Sequence, residues 1–487
     1  MPQLNCTASA TITSSAHSRH HIDVPPEPKA KHDKRKTSNG VCHQQTPTDE
    51  TFGASQLEKL AELRKELGDE LLQETTLLND NLSLIRWLTG WNNKIDEIVP
   101  RFRRAASVFR CLNLNQFVIE DIDDLNDFSR GVSAGSEYYP GGVLGYDREG
   151  NVVSLQCMGL SHPKQLAKCG RVSDVYRLSI YETTLIYQLI KIQERKLGRK
   201  LGLKVIIDLD GFNTDHLSTI ALKVYGNVLV TMQELFPDLL RQVFVINAHY
   251  LVKTAYNIIK PVLSEQSREK VVFLGSDFHG VLARDIGPEN LFIRWGGTRT
   301  PMRGHTEGGT LRMGGVPPEN LRYCAKNNPD HIDDEELIKL NVPARQRREV
   351  EVEVPEPGPH SIHWLFHTNG DLAFGIHRSD DQMEVWPTFH LLTDYVPEYG
   401  KVRVEGGVRY KLVFDNSGGT FFSREVKYGL RVKKVEEGEE EEREHGAKEA
   451  EKTNGVTARG EERQSVARDN EEEKENTIRD GEGKAKN

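Results

Sequence analysis

Lys204-Val205-Ile206-Ile207-Asp208-Leu209, Gln242-Val243-Phe244-Val245-Ile246-Asn247 and Val271-Val272-Phe273-Leu274 are three short apolar runs in a chain of 487 residues. Their β-branched content marks each as a strand. A helical pattern from about Asp215 to Leu235 separates the first from the second, and another from about Tyr250 to Ile259 separates the second from the third. Strand, helix, strand, helix, strand predicts a parallel sheet with crossover helices. The first two runs are apolar at nearly every position, as a sheet covered on both faces requires.

Working upstream, Val143-Leu144-Gly145-Tyr146, the turn Asp147-Arg148-Glu149-Gly150 and Val152-Val153 read as a hairpin. Ser173 is placed to cap a long helix whose apolar face carries Val175, Leu178, Leu185, Ile186, Leu189 and Ile192. Residues 56–125 form a small bundle of short helices, with Leu57, Leu60, Leu63 and Leu67 on one stripe. Downstream, 301–345 is rich in Gly, Pro, Arg and Asn and reads as a linker with one short helix near Asp333 to Leu340. From about 346 to 434 the pattern is all-β: Val350 to Val354, His363 to Phe366, Leu372 to Ile376, Val402 to Val404, Tyr410 to Phe414 and Val426 to Val432 are short strands. Their spacing predicts a β-sandwich.

The hydrophobic fraction of 37% is low for a chain packed from end to end. The shortfall falls at the ends: residues 1–52 and 435–487 have no apolar period and read as disordered tails. From Val435 onward there are 18 acidic and 10 basic side chains, a net of −8 against −9 for the whole chain. The acidity therefore belongs to the tail, the rest is close to neutral, and no nucleic-acid partner is expected. No apolar run approaches the ~20 residues of a membrane span. The start of the sequence has no secretory h-region, and Pro2 replaces the glycine that N-myristoylation needs. The six cysteines (Cys6, Cys42, Cys111, Cys157, Cys169, Cys324) form no CxxC pair and read as reduced thiols. A cytoplasmic protein, at most peripheral at membranes, is expected.

Motifs for covalent chemistry are sparse. Gly275-Ser276-Asp277 follows a strand but lacks the GxSxG spacing, as does Gly159-Leu160-Ser161-His162, and neither a P-loop nor GxGxxG is present. His360, His363 and His367 do not share one strand face, which makes a three-ligand metal site awkward. Asp208 and Asp210 end the first strand; the reading preferred over a catalytic one is that they hold the Gly211 turn. The apolar signal is stronger. Val252, Tyr256, Ile259 and Leu263 line one face of the helix after the second strand, and Leu251, Ala255 and Ile258 an adjoining one. So wide an apolar face fits either a dry core or a lid over an apolar cavity.

Asp208-Leu209-Asp210-Gly211, Phe236-Pro237, Val245-Ile246-Asn247-Ala248, Ile259-Lys260-Pro261-Val262-Leu263, Phe273-Leu274-Gly275 and Trp295-Gly296-Gly297 resemble, in order and spacing, the CRAL-TRIO lipid-binding domain. Arg86-Trp87-Leu88 resembles its N-terminal helical subdomain. Trp364-Leu365-Phe366, Phe374-Gly375-Ile376, Pro397 with Gly400, and Tyr410 to Asn416 resemble a GOLD domain. The resemblance implies a CRAL-TRIO α/β fold over 130–300, preceded by the helical subdomain and followed by a GOLD sandwich. It implies no catalysis and no cofactor, only one hydrophobic lipid such as a phospholipid, phosphoinositide, tocopherol, retinoid or squalene in a gated cavity. It places Val205, Ile207, Val243 and Val245 on the cavity side of the sheet, with Phe212, Ile220, Val228, Met232, Val252, Tyr256 and Ile259 as the remaining wall. It puts Lys260 at a headgroup-binding position, where the helix C-terminal dipole equally favours a lysine. Asp238 stands where the family often has glutamate. The sandwich is expected to contact a protein partner or, transiently, a membrane surface.

Overall fold

The computed structural model describes residues 52–119 and 121–435; the tails expected at 1–52 and 435–487 lie outside them, apart from the innermost residue of each. The chain begins with α1 (Ala54–Leu67), α2 (Asp69–Glu74), α3 (Asn81–Gly90), α4 (Ile95–Cys111) and α5 (Ile122–Gly131). Leu60, Leu63 and Leu67 are buried in one cluster with Trp87 and Phe102, whose rings meet at 5.1 Å. Asp80 and Asp121 start α3 and α5 by accepting the Ser83 and Asp124 N–H groups. The helical region thus runs past 125, to Gly131.

The sheet is built from the hairpin β1 (Gly142–Tyr146) and β2 (Val152–Gln156), followed by α6 (Pro163–Leu166), α7 (Val172–Leu197), β3 (Leu203–Asp208), α8 (Thr219–Leu235), β4 (Leu240–Ile246), α9 (Tyr250–Ile259), α10 (Glu265–Glu269), β5 (Val271–Phe273) and α11 (Phe278–Asp285). Strand order is β1-β2-β3-β4-β5; the first pair is antiparallel and the rest parallel. One face is packed solidly. Leu155, Ile206, Phe244 and Ile246 lie in a cluster with Phe278, Leu282 and Ile286 of α11 and with Leu291, Phe292 and Trp295. The alternate residues Val205, Val243 and Val245 point the other way.

Ser173 does not cap α7. Arg171 occupies that position, and the Asp174 carboxylate reaches back to its N–H. Ser173 sits one step inside the helix, where its hydroxyl donates to Glu398 Oε1 at 2.7 Å. The far end of α7 is tied to the helical subdomain by a buried pair: Arg86 of α3 binds Glu194, and its guanidinium also donates to the Leu201 carbonyl at 2.7 Å. Glu194 accepts the Leu201 N–H as well, so the carboxylate joins three segments.

The C-terminal part comprises β6 (Ile338–Val342), β7 (Arg347–Glu353), β8 (Pro359–Thr368), β9 (Leu372–Arg378), β10 (Glu384–Leu391), β11 (Glu398–Glu405), β12 (Arg409–Asp415) and β13 (Arg424–Lys434). They form two four-stranded antiparallel sheets, β10-β9-β12-β7 and β11-β8-β13-β6. Trp364, Phe366, Phe374 and Phe414 fill the space between them. Two expectations need correction. The helix near Asp333 to Leu340 is a single 3₁₀ turn, Asp334–Glu336, because Ile338 to Val342 pair with β13. The linker is not loose either: Arg312 exchanges backbone hydrogen bonds with Gly141 beside β1.

The sandwich packs against α7. Tyr176 stacks on Phe389 at 4.5 Å and its hydroxyl donates to the His390 carbonyl. Arg171 donates to the Tyr399 carbonyl at 2.5 Å and packs over the Tyr399 ring. Burial pushes the Glu398 carboxyl, which faces Ser173, Arg171 and Asp174, up to about 7.

Two outcomes follow from these ties. Glu194→Gln leaves Arg86 charged and underpaired in the core and costs on the order of 3 kcal/mol in urea denaturation; an unchanged midpoint refutes that role. Glu398 has a folded pKa above its ordinary 4.5. Its contribution to stability is complete below that ordinary value and is lost as pH rises towards about 7. The melting temperature of the native chain therefore falls across this window relative to Glu398→Gln; parallel pH profiles count against it.

Candidate functional site

Between the second face of the sheet and the helices lies a cavity of about 550 Å³. Its floor is Leu203, Val205 and Ile207 of β3, Val243 and Val245 of β4, and Val271 and Phe273 of β5. Strand parity puts these side chains on one face and gives Ile206 and Phe244 to the solid face. The roof is Ile220, Val224, Val228 and Met232 of α8 with Val252, Ala255, Tyr256 and Ile259 of α9; Phe212 and Phe236 close the ends of the turns. The cavity reaches from Gly141 and Gly142 at the β1 edge to Val271 at the β5 edge. Four strand spacings make that roughly 19 Å, slightly more than the ~15 Å of hydrocarbon in one bilayer leaflet.

Val205, Ile207, Phe212, Ile220, Val228, Met232, Asp238, Val243, Val245, Val252, Tyr256 and Ile259 all lie on this wall. Lys260 does not. It follows Ile259 by one helical step, about 100° round the axis, and so turns outward into solvent where Ile259 turns in.

Three groups of wall residues went unrecognised in the sequence. The first is a stripe on α7, where Val175, Leu178, Ser179, Glu182, Thr183 and Ile186 line the cavity at helical spacing. Val175, Leu178 and Ile186 read as an apolar helix face, with nothing local to show that it lines a cavity beside the polar Ser179, Glu182 and Thr183. The second is Arg312, from the stretch read as linker; it is buried and pairs with Glu182 at 3.0 Å. The third is Leu392, Tyr395 and Val396, between β10 and β11 of the sandwich, a contribution that no local sequence signal announces.

The two ends of the cavity are polar in different ways. At the β1 edge, Arg312 and Glu182 neutralise one another. At the amino ends of β3, β4 and β5, Asp238 binds Lys200 and Lys270, the latter at 3.1 Å. Burial works to raise the Asp238 carboxyl, and the two ammonium groups outweigh it, holding it below the ordinary carboxylate range. Gln233, Ser264, Gln266 and Ser267 complete that end.

Ser161 and His216 also meet on the wall, at 3.1 Å. Their hydrogen bonds argue against an activated nucleophile. His216 Nδ1 accepts the Asn213 N–H, which leaves the proton on Nε2, and Nε2 donates to the Met158 carbonyl at 2.9 Å. An imidazole in that tautomer offers Ser161 no base. Asp208 is likewise committed: its carboxylate accepts from Trp295 Nε1 at 2.9 Å, from Asn247 Nδ2 at 2.8 Å and from the Asp210 N–H at 3.0 Å. It fastens the ends of β3 and β4 to the solid layer.

α9 covers the cavity with one stripe only. His249 caps it and also donates to the Phe212 carbonyl. Tyr250 and Ile258 on its outer side are exposed, as is Val262 in the 3₁₀ turn beyond. Asn247, just before it, holds a left-handed φ of 54°.

Residues 136–297, which contain this sheet and its covering helices, match the family model of the CRAL/TRIO domain. Similarity to known proteins extends beyond these residues. The Caenorhabditis elegans CRAL-TRIO domain-containing protein C34C12.6 is 21% identical over 385 residues, 76% of this chain and 94% of its own length. Protein ctg-1, also of Caenorhabditis elegans, is 22% identical over 370 residues, 73% and 92% of the two chains. Among solved structures, one titled "Crystal structure of Sfh5" aligns with a TM-score of 0.37 and 13% identity over 56% of this chain and 92% of that one.

Asp208→Ala strands the buried Trp295 N–H and frees Asn247. The expected cost is about 2 kcal/mol in urea denaturation. A variant as stable as the parent chain removes the anchoring role.

Proposed function

We propose that this chain is a cytoplasmic lipid-binding and lipid-transfer protein that encloses one hydrophobic ligand beneath α9. The observation that carries the reading is the apolar cavity of about 550 Å³ against the sheet, within the size range of small-molecule sites. A lipid chain of ~16 carbons at ~0.8 kcal/mol per methylene is held in a bilayer by on the order of 13 kcal/mol. A carrier must replace that environment before the lipid can leave it, and needs no covalent step and no cofactor to do so. α9 is the gate, with Asn247 and His249 at its hinge and its uncovered outer stripe meeting the membrane during exchange. An amphipathic ligand, a phospholipid or phosphoinositide, sets its polar end beside Asp238 and Lys270; tocopherol or a similar lipid uses the apolar wall alone. Lys260 serves at the membrane surface rather than inside.

The sandwich is a GOLD domain making trafficking-related contacts with a protein partner. Its pairing with a CRAL/TRIO domain resembles the animal branch that includes supernatant protein factor, the tocopherol-associated protein. A lipid-sensing adaptor is the second reading, favoured by the direct contribution of the sandwich to the cavity wall.

Native mass spectrometry of the chain purified from cells is expected to show one bound lipid, released on extraction. Ile207→Asp places a carboxylate in the floor and should abolish loading while the sandwich stays folded. A consistently empty parent chain, or a loaded Ile207→Asp variant, overturns the reading. Transfer between liposomes separates carrier from sensor: loading without transfer favours the adaptor.

A further inference from the structure

The connection between β12 and β13 carries the most exposed adjacent pair of aromatic side chains among the described residues: Phe421 is 82% and Phe422 72% exposed. The eight residues from Asn416 to Ser423 include no charged side chain. Nothing about the loop is slack at its base. Asn416 is buried, and its amide donates to the carbonyls of Val342 and Phe422 at 3.1 and 3.0 Å. Its backbone exchanges hydrogen bonds with the neighbouring turn, Arg345 N–H to the Asn416 carbonyl and Asn416 N–H to the Gln346 carbonyl. One buried amide thus locks two adjoining turns together and holds the phenylalanines away from the core.

The adjoining turn supplies cations. Arg345, Arg347 and Arg348 are exposed there; Arg347 is paired with Glu349, and the Arg348 guanidinium donates to the Arg347 carbonyl. The acid at the root of the loop, Asp415, accepts the Ser417 N–H. The surface is a narrow convex tip, uncharged and aromatic, beside a cationic shoulder.

We propose that this tip is a membrane-docking element: Phe421 and Phe422 enter the interfacial layer of a phospholipid bilayer while Arg345 and Arg348 lie against its phosphates. Area favours a bilayer over a protein surface. A stable protein interface buries ~800 Å² on each side, whereas two phenylalanines offer only ~200 Å² each. A bilayer takes up aromatic side chains and nearby cations together without a large shape-matched surface. The proposal is independent of the cargo and of the cavity, because it concerns the sandwich alone.

The test is co-sedimentation of the full chain with vesicles of phosphatidylcholine, with and without phosphatidylserine. The native chain is expected to bind both, and the anionic vesicles more tightly. Phe421→Ser with Phe422→Ser should lower partition at least about tenfold on both; both positions are solvent-exposed, so folding and lipid loading by native mass spectrometry should not change. Arg345→Glu with Arg348→Glu should chiefly remove the preference for phosphatidylserine, about fivefold per charge. A native chain that binds neither vesicle overturns the proposal. So does a double serine variant that binds as the native chain does, which would assign membrane contact to α9, and so does a tip that docks on a purified protein while ignoring lipid.

Discussion

A parallel sheet must be covered on both faces, and this one is covered in two different ways. α11 and the segment through Trp295 fill one side with large apolar groups in close contact. α7, α8 and α9 span the other side without filling it. The same short strands serve both, because alternate residues belong to opposite faces. Val205, Val243 and Val245 look into the hollow while Ile206, Phe244 and Ile246 are sealed in the solid layer. Sheet rigidity therefore comes from one face and capacity from the other.

A hollow contributes no packing energy of its own, so its walls have to be braced from outside. The bracing is polar and sits at the perimeter. Asp208 gathers Trp295, Asn247 and the Asp210 backbone at the carboxyl ends of β3 and β4. Glu194 joins α7 to Arg86 and Leu201. Asp238 draws Lys200 and Lys270 together at the amino ends of β3, β4 and β5. Each of these groups keeps a wall where it is, and Asp238 and Lys270 also line the cavity. Gly159 shows how little slack remains beside the site: a Cβ there would stand 1.9 Å from the Asp210 carbonyl, so the turn after β3 can seat only glycine opposite it.

Much of this could be read from the residues in advance, and the exceptions have physical causes. The three apolar runs and the helices between them announced the sheet, since strand and helix periods are local properties. The order of motifs from Asp208 to Trp295 supplied the wall positions on β3, β4, α8 and α9. Strand β10 escaped because its pairing with β9 is interrupted at Glu384, Trp386 and Phe389, and Pro387 breaks the alternation. β6 escaped because its exposed face mimics a linker and its pairing with β13 spans more than 80 residues of sequence. Arg312 and Glu182 are a long-range meeting of polar groups, which no window of sequence encodes. Lys260 shows the opposite failure: a motif gave it the right neighbourhood, while a single helical step decided which way it faced.

The loop between β10 and β11 lends Leu392, Tyr395 and Val396 to a chamber that otherwise belongs to another module. The two modules consequently share an inheritance. An insertion or a change of residue size in that loop would alter the cavity volume, although it lies far along the chain from the sheet. Exchanging the sandwich for a relative's would reset the tastes of the compartment as well as the company it keeps.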